Sequence, residues 1–147
     1  MGSLTKYRVV LILNTLSLLY FGIAFMVDPH GMTGQFGITL AGTDAIADVS
    51  AVYGGFEIGM GLFLVWAAMN PPYLKAGLVA ATFSLVGFMS GRIIGIVHGG
   101  APTEATFRLL SLDVVGALLN VVFLTLFVRG ESASKRAGRS TGTTPLG

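Results

Sequence analysis

The sequence predicts an all-α integral membrane protein, a bundle of four transmembrane helices with cytoplasmic N- and C-termini. Three observations lead there. Of the 147 residues 53% are hydrophobic and 11% charged, against about 25% charged in a soluble domain. With mean hydropathy at +0.79, one small core could not hide the apolar surface, whereas lipid accepts it. Four apolar runs approach the roughly 20 residues that cross a bilayer core, and Lys and Arg cluster on alternate connections.

The first run covers residues 9–27 and follows Lys6 and Arg8. It exceeds a usual signal-peptide core and precedes no small-x-small cleavage site, so it reads as an uncleaved signal anchor. Asp28-Pro29-His30-Gly31 ends it. Proline lacks an amide proton and glycine costs backbone entropy, so both stop helices. The connection 28–48 has no Lys or Arg and three Asp. Its glycines alternate with Met32, Phe36, Ile38 and Leu40. Loops this long without their own structure are uncommon. It reads as a lid or short interfacial helix on the outer face, or as a plain tether.

The second run, 49–69, ends at Asn70-Pro71-Pro72, and the third, 74–97, at His98-Gly99-Gly100-Ala101-Pro102. The fourth, 106–128, completes a transmembrane domain of residues 1–129. A basic tail, 130–147, is rich in Ser, Thr and Gly and is expected to be disordered. Lys6, Arg8, Lys75, Arg129, Lys135, Arg136 and Arg139 mark the cytoplasmic side, with Arg108 the exception. Trp66, Tyr73 and Tyr7 read as interfacial belt residues on that side.

Several functions are excluded. Apart from Arg92 the basic residues sit at or beyond span ends, and they form no basic face, which removes nucleic acid as a partner. Without Cys there is no disulfide, thiolate catalysis or Cys-ligated metal. Two His do not make a His-rich metal site, and His98 reads as a bland residue of a glycine turn. No Gly-Lys-Ser follows the glycines, so no phosphate loop is present. No cofactor is expected.

Glu57, Arg92 and Asp113 are ionisable residues within the spans. Such residues are costly and usually face a bundle interior or water. At 1.5 Å per residue they lie about 12, 8 and 10 Å below the outer surface, one level shared by three helices. Arg92 could bridge both acids. Two acids and one base leave a formal charge of −1, which a proton, a cation or a ligand must relieve. Tyr53 lies one turn outward of Glu57, within reach of a hydrogen bond. Asp113, Gly116, Ala117 and Asn120 share a face of the fourth helix. Asn14 and Ser17 share one of the first, and Asn14 pairs with Asn120 or floors a polar pocket. Gly55, Gly59, Gly87, Gly91 and Gly95 form small-residue ridges. These are expected at helix contacts within the chain rather than in a homo-oligomer seam.

The stretch Val52-Tyr53-Gly54-Gly55-Phe56-Glu57-Ile58-Gly59-Met60-Gly61-Leu62 resembles the YGG…E/L-G-x-G-L core of DUF4345, a family of small four-helix bacterial membrane proteins of unknown function. Gly91-Arg92-Ile93-Ile94-Gly95 with Gly100-Ala101-Pro102 is similar to its GR-x-x-G…G-x-P region, and Asp113 to its acid in the last span. The resemblance runs to about Arg129. It implies a multi-pass protein of the bacterial inner membrane and supplies no activity. Members often carry a basic residue just before the tyrosine and an acid before the last loop's glycine; here Val49-Ser50-Ala51 and His98-Gly99 stand there.

Three function classes remain open. The chain could bind or transport a small lipophilic or cationic ligand in an outward pocket of Tyr53, Glu57, Arg92 and Asp113. It could be an intramembrane enzyme with Glu57 or Asp113 as general acid. It could be a structural subunit whose charges only fix the bundle. An unsaturated acid beside a cavity would separate the first two from the third.

Overall fold

The computed structural model describes residues 2–140, and among them every regular element is helical. The order is α1 (Gly2–Val27), α2 (Pro29–Gly34), α3 (Gly42–Val49), a π-helical segment (Ser50–Phe56), α4 (Glu57–Met69), a short turn (Pro71–Tyr73), α5 (Leu74–Gly99) and α6 (Glu104–Ser140). Four stretches are long and apolar enough to cross a membrane: Leu4–Val27, Gly42–Met69, Pro71–Gly99 and Glu104–Ser134.

The breaks follow local chemistry. Asp28 caps α2 by accepting the Gly31 N–H at 2.8 Å, with Pro29 in the first turn. Proline suits that place because its missing N–H would have had no helical partner. After α5, Gly100 takes φ +89°, a left-handed backbone that L side chains rarely adopt. Thr103 Oγ1 then accepts the Thr106 N–H at 3.2 Å and opens α6.

Helix α1 lies along α4, and α5 along α6. The two pairs join at one end. There Leu11, Leu64, Leu74 and Leu78 are fully buried, and the edge of Tyr7 meets the rings of Phe123 and Phe127 at 6.2 and 5.0 Å. Tyr7 is therefore core rather than an interfacial residue. Trp66 and Tyr73 remain exposed, with ring centroids 4.4 Å apart. The buried residues of α5 are Leu74, Gly77, Leu78, Ala81 and Thr82, all in its first third. Beyond them α5 leaves the other pair and the bundle opens.

Three expectations change. Connection 28–48 is no plain tether: it holds α2 and most of α3, and buries Thr33. Tail residues 130–140 continue α6, and Lys75 pairs with Glu131 at 2.8 Å across the two helices. The tail from 141 on lies outside the described residues.

The third concerns the glycines. A side chain added at Gly59, Gly87, Gly91 or Gly95 would meet nothing within 4 Å, and at Gly55 only the Ser50 carbonyl oxygen at 3.9 Å. The ridge of α5 faces outward. Close packing falls instead on Gly22, where a Cβ would stand 3.0 Å from the Gly54 carbonyl oxygen, and on Gly61 and Gly77. The reason is angular. Consecutive helical residues are about 100° apart, and Arg92 faces inward, so Gly91 cannot face the same way.

Candidate functional site

Each sequence-predicted residue borders one cavity of about 420 Å³: Tyr53 from the π segment, Glu57 from α4, Arg92 from α5 and Asp113 from α6. Asn14 and Ser17 of α1 border it too. The volume lies in the range of small-molecule sites. Most of the wall is apolar, with Phe21, Phe25, Leu85, Phe88, Leu109 and Leu112 among its members. Thr33, Phe36 and Ile38, from the connection between α1 and α3, border it at the open end of the bundle. That connection is the cover of the cavity.

Arg92 Nε donates to Asp113 Oδ2 at 2.5 Å, as an arginine in an apolar stretch requires. Asp113 is only 8% exposed, whereas the Arg92 side chain keeps 28% of its surface open; the pair is part-buried and its two charges cancel. Glu57 is different. It is 7% exposed and lies within electrostatic range of both Arg92 and Asp113. Yet among the described residues it makes no hydrogen bond or ion pair. The acid left without a counter-charge is thus Glu57, at the cavity wall. Tyr53 does not hydrogen-bond it either. Its ring stacks on Phe25 at 5.2 Å with 29° between the planes.

Deeper, Asn14 and Asn120 exchange hydrogen bonds of 3.1 and 3.2 Å. Each also donates to the carbonyl four residues back, Val10 and Gly116. Asn120 is 2% exposed. This reciprocal pair ties α1 to α6 beside the cavity, which Asn14 borders. Thr15 Oγ1 donates to the Leu11 carbonyl and also reaches the Gly61 carbonyl at 3.2 Å, a tie from α1 to α4. Among the described residues no three His, Asp or Glu gather to hold a metal ion.

Two features escaped the sequence reading. Ser84 and Phe88 share with Arg92 the i, i+4, i+8 face of α5 and line the cavity. Given an inward Arg92, that spacing was the available signal. The π segment immediately before Glu57 carried only the pair Gly54-Gly55 as a hint. Wide turns of this kind are rare and recur at functional sites.

The fold and site define a class: a four-helix bundle of membrane-spanning hydropathy, closed at one end, with a polar centre in an apolar cavity. The domain of unknown function DUF4345 matches residues 7–124, and the chain belongs to that family. No curated protein and no solved structure matches it.

Proposed function

We propose that the chain is a multi-pass protein of the bacterial inner membrane with cytoplasmic termini. Its cavity, in the outer half of the bilayer, binds a small lipophilic ligand carrying a cationic or hydrogen-bond-donating group. The observation that carries this reading is Glu57, buried at the wall of a cavity of about 420 Å³ and without a partner among the described residues, while Arg92 is engaged by Asp113. A buried carboxylate is costly until a proton or a cationic partner compensates it. A purely structural triad would have its three side chains mutually saturated and no space beside them, so the free acid and the volume count against it.

The test compares Glu57→Gln with the unaltered protein, both purified after exposure to a native lipid extract, with retained molecules measured by mass spectrometry. The unaltered chain should retain a small amphiphile that the folded Glu57→Gln variant loses. Identical retained sets would remove Glu57 from the site.

Orientation rests on the positive-inside bias. Single cysteines are readable because the chain has none. Gln35→Cys and Ala101→Cys should react with an impermeant maleimide from outside, and Pro72→Cys only after the membrane is opened. The reverse pattern would invert the topology.

A further inference from the structure

We propose that the cavity is loaded sideways from the bilayer, through a portal between the π segment and α5, and that its ligand is a single-chain cationic amphiphile. This rests on reading the cavity as a ligand site. Four observations support it. First, the π segment and α5 barely touch, although both border the cavity. Second, a further hollow of about 250 Å³ lies between them, bordered by Tyr53, Gly87, Phe88, Gly91 and Arg92. Third, Tyr53, Phe88 and Arg92 border both spaces, so side chains rather than backbone separate the hollow from the cavity. Fourth, the outward glycines keep the passage wide: beside Gly87 and Gly91 nothing stands within 4 Å of an added Cβ.

The alternative route, through the open end, passes Thr33, Phe36 and Ile38 of the covering connection, and Thr33 is buried. The lateral route is flanked by two aromatic rings and two glycines. It suits an alkyl chain already dissolved in lipid. Past the rings, the unpartnered carboxylate of Glu57 offers a seat for a cationic head, and the apolar wall holds the chain. A volume of about 420 Å³ is near the small end of ligand sites, which fits one chain rather than a two-chain phospholipid.

The test uses the full chain in nanodiscs with radiolabelled dodecylamine, which has one alkyl chain and one ammonium group. Capture and release rates and equilibrium Kd are measured for the unaltered protein, Glu57→Gln, and the double variant Gly87→Leu with Gly91→Leu. The leucines should slow capture and release alike by about tenfold, equivalent to about 1.4 kcal/mol on one shared barrier, and leave Kd unchanged. A double variant with alanine at both glycines should show a smaller slowing in the same sense, and it serves if the leucines impair folding. Glu57→Gln should weaken Kd. If dodecylamine binds in a Glu57-dependent way but the glycine variants leave both rates unchanged, the portal is wrong and the site stands. If the unaltered protein does not bind dodecylamine, the ligand class fails and the portal with it. A dimer that the leucines dissociate would make the glycine ridge a subunit seam and overturn the portal.

Discussion

Replacing Arg92 with alanine is expected to destabilise the protein, with the cost of about 3–5 kcal/mol for stranding one partner of a fully buried ion pair as the upper bound, because the Arg92 side chain is 28% exposed. The reason lies with what remains. Asp113 is 8% exposed, and Glu57, 7% exposed, already has no partner among the described residues. Without the guanidinium, two acids would border one apolar cavity within electrostatic range of each other and with no cation between them. A triple variant, Arg92→Leu with Glu57→Gln and Asp113→Asn, removes every charge and should lose less than Arg92→Ala alone. Thermal unfolding in detergent measures both. Equal losses would show that the Arg92–Asp113 contact contributes no electrostatic coupling.

The second large effect separates two glycines on one helix. At Gly77 an added Cβ would stand 2.7 Å from Leu11 Cδ1 and 2.8 Å from Ala67 Cβ. The leucine tip can swing aside, but an alanine Cβ moves only with its backbone. Gly77→Leu should therefore cost at least the roughly 1–3 kcal/mol of an overpacked core, and it should prise the closed end apart. Gly91→Ala meets no neighbour within 4 Å and should be neutral, or stabilising by up to about 1 kcal/mol from helix propensity. Paired melting curves check the contrast. A stable Gly77→Leu variant would contradict the packing of α5 on α1 and α4.

The two cases also show what could be read in advance. Apolar run length is a direct physical demand, since a bilayer-length helix needs about 20 such residues. The four long helices were therefore legible. Their ends were less so, because apolar runs mark where lipid contact is affordable while the backbone ladder can continue beyond it, as α6 does past Gly130 to Ser140. The Arg92–Asp113 pair was legible because a guanidinium in an apolar stretch demands a partner. So was the Asn14–Asn120 pair, from matched depth on two helices.

The glycine ridge was not legible. Gly87, Gly91 and Gly95 had ideal contact spacing, but Arg92 competed for the same inward face. Exposing glycine costs less than exposing a charge, so the arginine set the rotation. The true contact glycine of α5, Gly77, lay on a less conspicuous stripe with Leu74, Leu78 and Ala81. That Glu57 would stay unpaired depended on how far the helix pairs separate, which no single helix records.

The π segment stores one residue of spare length immediately before Glu57. Each of its hydrogen-bonded rings spans one residue more than an α-helical ring. A wide turn completes about the same rotation as an ordinary one, so the extra residue is absorbed between Gly42–Val49 and Glu57–Met69. Deleting a single residue between Ser50 and Phe56 would let the ordinary ladder close with both flanks left nearly in place. A deletion within α3 or α4 has no such slack and would rotate one flank against the other by about 100°. With α4 fixed against α1, that rotation would fall on α3, next to the connection that covers the cavity. In this chain the π segment is a length buffer, and one residue lost there spares the aim of Glu57.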